Sequence, residues 1–221
     1  MIAFPILAAL VSAAFGLHLL ARFARRGRWH EGVWSIAMLM YAAASAALAL
    51  GVADGWTQAE FRAYWLFGAV LNVPYLALGE GYLLLRKRWV AHLLLGLVLA
   101  ATAWALAVIR DATIGPALAE EFPLGRDVFG GGTSAHRLAQ LYSFPAYFLL
   151  LFGAVLSASR MRRSPELKAK ANGTALIALG ATIVAIGSGV GAGFGSFALF
   201  STALAAGAAV MYWGFLVATR R

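Results

Sequence analysis

Two apolar runs on either side of three cations decide the fold: Trp65–Ile109 reads WLFGAVLNVPYLALGEGYLLL, then RKR, then WVAHLLLGLVLAATAWALAVI. Each run is about 21 residues long, and a helix needs about 20 to cross a hydrocarbon core about 30 Å thick. Arg86, Lys87 and Arg88 are then a turn held in the water at one membrane face. The rest of the chain repeats the pattern. Of 221 residues, 62% are hydrophobic and 12% charged, and the mean hydropathy is +0.79. Soluble domains are about 45–50% apolar and about 25% charged, so both a soluble globular enzyme and a disordered chain are excluded.

Seven helices account for the apolar runs, at about Ile2–Ala21, Val33–Val52, Ala63–Leu85, Trp89–Ile109, Leu138–Ser159, Thr174–Val190 and Ser196–Ala218. The chain reads as one all-α, polytopic transmembrane domain, 1–221, with one long loop at 110–137. Lys and Arg alternate between the loops. One side holds fourteen (Arg22, Arg25, Arg26, Arg28, Arg86, Lys87, Arg88, Arg160, Arg162, Arg163, Lys168, Lys170, Arg220 and Arg221), and the other holds four, Arg62, Arg110, Arg126 and Arg137. Cytoplasmic loops carry the excess of Lys and Arg, which puts the N-terminus outside and the C-terminus in the cytoplasm of a bacterial inner membrane. No basic residue precedes the first apolar run, so it reads as an uncleaved helix and not a signal peptide. Trp29, Trp34 and Trp89 fall at the inner boundary and Trp56, Tyr64 and Trp65 at the outer, as an interfacial belt.

The net charge of +9 is spread over helix ends, which argues for the lipid bilayer as partner and against nucleic acid. With no cysteine there is no disulfide, thiolate chemistry or cysteine-held cluster. No cofactor motif is present: there is no His-Glu-x-x-His, no Gly-x-Ser-x-Gly and no Walker sequence, and the last helix has no Lys for a retinal Schiff base. Ile114–Phe122 suits a short interfacial helix, and Gly130-Gly131-Gly132 a flexible joint.

The candidate site is on the third helix. Glu80 lies about 9 Å inside the inner boundary, six residues before Arg86, and is the only acid inside the seven predicted spans. An ionisable group there costs about 2.5–3.5 kcal/mol on insertion scales and marks a functional site by default. The competing reading is structural: a carboxylate that reaches out to Arg86, Lys87 or Arg88, or pairs with a neighbouring helix. Asn72, Tyr75, Gly79 and Glu80 cover an arc of about 140° beside Pro74, one broad polar face at an expected kink. His18 and His92 are at a depth similar to Glu80, each four residues from a boundary arginine, and the three would form a proton relay or weak metal site if their helices met. His30 and His136 fall in loops, solvated. Gly187, Gly191 and Gly195 have the spacing of a close helix contact.

Helices 1 and 5 both open on Phe-Pro (Phe4-Pro5, Phe144-Pro145) and end on Arg-Arg, and helices 3 and 7 align at an offset of 133. That suggests a parallel 3+1+3 duplication, an architecture similar to SWEET-type transporters. The stretch Trp65–Leu85, the Arg-rich first inner loop followed by Trp34, the Gly55-Trp56 pair and the closing Met211-Tyr212-Trp213-Gly214-Phe215-Leu216 together resemble a group of small, functionally uncharacterised seven-helix membrane proteins common in high-GC bacteria. The resemblance covers most of the chain. It implies the seven-helix topology and transfers no activity, and in that group the position of Glu80 is often small or polar. Three functions follow as expectations. The first is a transporter or channel with a polar cavity near helix 3, for a small molecule or ion. The others are a non-catalytic subunit bound to a membrane partner or to its own copies, and a sensory module with the outer loop as a cap.

Overall fold

The computed structural model describes residues 2–162 and 165–219. Among them there is no strand, and helices joined by turns and one longer loop make up nearly all of the structure. Six helices are long and apolar enough to cross a membrane: α1 (Ala3–Arg26), α2 (Trp29–Asp54), α5 (Arg88–Asp111), α7 (Ser134–Met161), α8 (Lys168–Gly193) and α9 (Phe197–Thr219). This is the make-up of a polytopic membrane protein. Most run past the apolar stretches that announce them, because charged end turns stay helical: α1 continues to Arg26 and α2 takes in Trp29, His30 and Glu31. Gly27, at φ 62°, supplies the left-handed residue that stops α1. Arg163, Arg220 and Arg221, counted among the inner cations, lie outside the described residues.

The remaining long stretch is built differently. It starts as α3 (Gln58–Tyr64), passes into a π-helical segment (Trp65–Leu71) and continues as α4 (Asn72–Leu84), with no non-helical residue between them. The irregularity expected at Pro74 therefore takes the form of a π segment just before it. In the π pattern the carbonyl of residue 69 would accept from the N–H of residue 74, which proline lacks. Ser143 Oγ on α7 donates to that carbonyl instead, at 2.6 Å, as a neighbouring helix must when water is absent.

The helices close a ring. α1 packs on α2, α2 on the α3–α4 rod, the rod on α7, α7 on α8, α8 on α9, and α9 back on α1; α5 sits outside against the rod and α7. Ring closure is therefore sequential, with the fourth long element left out of it. An offset of 133 maps Trp65–Leu71 onto 198–204, yet the first is π-helical and the second lies in regular α9, so the two stretches differ in backbone.

α8 and α9 form the closest pair. Gly173 faces Gly214, Gly180 faces Gly207, and Gly187 and Gly191 face Ala203 and Phe200. A Cβ on Gly180 would stand 2.6 Å from the Gly207 carbonyl oxygen. Gly187 and Gly191 thus serve the contact expected of them, whereas Gly195 (φ 62°) belongs to the turn between α8 and α9.

The 110–137 loop is folded onto the bundle. Only Pro116–Ala119 of the expected interfacial helix forms, as a 3-10 turn, and α6 (Gly125–Val128) follows. Phe122 packs on Phe197 and Phe200, and Phe129 on Phe61 and Trp65. Arg62 donates to the Ile109 and Ala112 carbonyls, capping the end of α5, where a cation meets the negative end of the helix dipole.

Candidate functional site

Glu80 stands in the last turns of α4, between two glycines, and is 4% exposed. It turns sideways, to α7, and away from Arg86, Lys87 and Arg88. Gly153 on α7 leaves the room: a Cβ there would be 2.7 Å from Glu80 Cγ. One turn further on, Ser157 Oγ donates to Glu80 Oε1 at 3.1 Å. Among the described residues no cation lies within ion-pairing distance of Glu80. The acid is held by a neutral hydroxyl inside an apolar helix contact. Of the two structural alternatives, reaching to its own turn is not what forms, whereas a partner on a neighbouring helix is, in Ser157 of α7.

The neighbouring Gly79 is covered by the Trp34 indole, whose Nε1 donates to the Leu76 carbonyl at 2.9 Å. Trp34 is therefore an interior residue of the α2–α4 contact and not an interfacial anchor. It also forms one wall of a cavity at the centre of the ring, together with Phe15, Met38, Leu76, Leu150 and Met211. The cavity measures about 20 Å³, room for about one water, and its walls are wholly apolar; such cavities stay dry. Glu80 is one residue from the glycine that this tryptophan covers.

The other polar residues of the rod point to three different neighbours. Asn72 Nδ2 donates to the Ala37 carbonyl of α2 at 2.7 Å. Tyr75 OH lies 3.2 Å from Thr102 Oγ1 of α5. Glu80 faces α7. An arc of about 140° on a helix with neighbours on three sides reaches all of them, so the broad polar face is divided among contacts. His18 and His92 do not join Glu80. His18 Nδ1 is 3.3 Å from Tyr212 OH on α9, and His92 Nδ1 is 2.9 Å from Tyr82 OH on α4. Among the described residues no cluster of three or more His, Cys, Asp or Glu is placed to hold a metal ion.

Sequence reading missed a second buried acid. Glu31 belongs to the first turn of α2, is 2% exposed, and accepts from both Nε and Nη2 of Arg22 at 3.0 and 2.9 Å. The Arg22 guanidinium lies over the Phe215 ring, 5.1 Å from its centre, so α1, α2 and α9 are joined at one end. Glu80 is accordingly not the only acid inside the long helices. Hydropathy placed Glu31 in a loop. The available signal was an acid four residues beyond the Gly27 stop, where helix N-termini favour negative charge. His30 also lies in α2, edge-on to Trp34 at 5.5 Å, and His136 lies in α7, stacked on Trp65 at 5.9 Å. Both are half-buried rather than free in loops.

Fold and site together define a helical membrane protein with a buried, hydroxyl-bonded carboxylate and, apart from it, a small apolar cavity at the centre of the ring. Compared with family models, curated proteins and solved structures, the chain matches none of them.

Proposed function

We propose that the chain is a seven-span protein of the bacterial cytoplasmic membrane, N-terminus outside, that moves a small solute or ion with Glu80 as its proton-carrying group. The seventh span in this reading lies, from about Ala63 onward, within the α3–π–α4 rod, whose 7, 7 and 13 residues follow one another without a break. The alternation of Lys and Arg between the two ends supports the orientation. One observation carries the functional reading: Glu80 is buried against Ser157 with no cation beside it. Intramembrane carboxylates in such settings serve proton relays and ion pathways. The π segment in the same rod adds to it, since such segments recur at functional sites.

The test is proton flux in liposomes that contain the purified protein, followed with an entrapped pH-sensitive dye under an imposed potential. Wild type carries flux, and Glu80→Gln, which keeps the shape and an acceptor for Ser157, does not. Equal flux from the two proteins overturns the reading.

A second reading, a subunit of a larger membrane assembly or a homo-oligomer, is favoured by α5. Only Ala91, Ala105 and Ile109 of that helix are buried, and Gly96, Ala100, Ala103 and Ala107 are exposed along it. A protein that co-purifies in fixed ratio from native membranes supports this reading over the first.

A further inference from the structure

Two basic turns meet over one aromatic patch at the end of the bundle where α1 stops and α5 starts. Trp29 stacks on Tyr82, with ring centroids 6.0 Å apart and planes at 16°, and meets His92 edge-on at 5.3 Å. Phe23 extends the patch, 6.1 Å from Trp29. These contacts set the α1–α2 turn, with Arg25, Arg26 and Arg28, beside the α4–α5 turn, with Arg86, Lys87 and Arg88. All six cations are exposed.

None of the six pairs with an acid among the described residues. Among the described residues the ion pairs are Arg22–Glu31, which uses the acid nearest the first turn, and Arg110–Asp111 and Arg126–Asp127 in the 110–137 loop. Six of the nine acids (Asp54, Glu60, Asp111, Glu120, Glu121 and Asp127) lie at the opposite end of the helices. Exposed cations gathered on two neighbouring turns attract an anion from outside the chain. The flank of the same patch is apolar and open: Leu83 is 46% exposed, Leu93 56% and Trp89 65%. A charged rim over an aromatic ledge over an open aliphatic wall matches a molecule with an anionic head and hydrocarbon tails. Basic recesses between membrane helices hold phosphorylated headgroups in this way. Tyr82 OH lies 2.9 Å from His92 Nδ1, which ties the start of α5 to α4 beneath the same patch.

We propose that this patch binds one anionic phospholipid. Its phosphate sits among Arg28, Arg86, Lys87 and Arg88, and its acyl chains lie along Leu83 and Leu93. The inference rests on the chain crossing a bilayer and is independent of transport.

The experiment is native mass spectrometry of the whole chain released from nanodiscs of equal phosphatidylglycerol and phosphatidylcholine, with far-UV circular dichroism as the check on folding. Wild type retains one phosphatidylglycerol per chain. Arg86→Gln/Lys87→Gln/Arg88→Gln retains it less, by about fivefold per cation removed, and Lys87→Gln alone shows one such step if the triple variant fails to fold. Arg110→Gln, at the other end, retains it as wild type does. Equal retention of the two lipids, or full retention in Lys87→Gln, overturns the proposal. So does displacement of the lipid by millimolar inorganic phosphate, because that outcome makes the patch a site for the free anion.

Discussion

The α8–α9 pair and the α3–α4 rod are joined to the ring by opposite means. α8 and α9 meet backbone to backbone through glycines at 173, 180, 207 and 214, with no polar side chain needed. The rod is fastened by separate hydrogen bonds from Trp34, Asn72, Tyr75, Ser143 and Ser157, each to a different point. Close backbone packing is continuous and tolerates no displacement. Point fastenings can be exchanged one at a time. In a bilayer each such bond is worth on average about 0.6 kcal/mol, and the rod they fasten also holds the proline, the π segment and Glu80.

The largest effect that separates the two regions is steric. Gly180→Leu puts a branched side chain where the Gly207 carbonyl and Met211 already stand. Overpacking typically costs about 1–3 kcal/mol when side chains can yield, and here backbone is in the way, so loss of the folded, monodisperse protein is expected. Gly96→Leu on α5, with no atom within 4 Å of the new Cβ, should leave the melting temperature in detergent within a few degrees of wild type. Equal tolerance of the two changes would mean that α8 and α9 are not held by close backbone contact.

A smaller effect tests the rod. Ser143→Ala removes the donor to the Ala69 carbonyl and should cost about 0.6–1.7 kcal/mol, the range for such bonds in membranes. Pro74→Ala restores an N–H at the position the π pattern would use. The double variant should then recover most of what Ser143→Ala loses, read as a coupling in thermal unfolding. Strict additivity would sever Ser143 from the proline and remove this account of the π segment.

Much of this was legible because hydrocarbon thickness is a hard rule: a run such as Trp89–Ile109 has one reading. Turn positions followed from charge, since Arg86, Lys87 and Arg88 have nowhere else to go. What hydropathy could not see was direction. Asn72, Tyr75 and Glu80 share an arc in sequence, and only the ring decides that they face α2, α5 and α7. Glu31 was lost because a charge at a helix start lowers the apolar average just where burial by Arg22 and Phe215 offsets it. The glycines at 173, 180, 207 and 214 spell the α8–α9 contact at intervals of seven, a signal that was present in the sequence and is obscured by the chain's overall richness in glycine.

The smallest effect lies where the rod begins. Thr57 accepts from the Glu60 N–H, and the Glu60 carboxylate accepts from the Thr57 N–H at 2.9 Å, a reciprocal cap on α3. Those bonds hold the Glu60 carboxyl below its usual range, chiefly through the Thr57 backbone. The sign follows from the lowered value: the cap's ionic contribution is complete above the ordinary glutamate range, about pH 4–5, and is lost as pH falls through the folded value. Glu60→Gln keeps a capping residue without the charge. Its melting temperature should therefore sit slightly below wild type at neutral pH, and the difference should close as the pH falls through the folded value. A gap that persists unchanged into acid would mean that Glu60 acts there through shape alone, and that the rod starts with a neutral cap no more adjustable than the glycine contact at the far side of the ring.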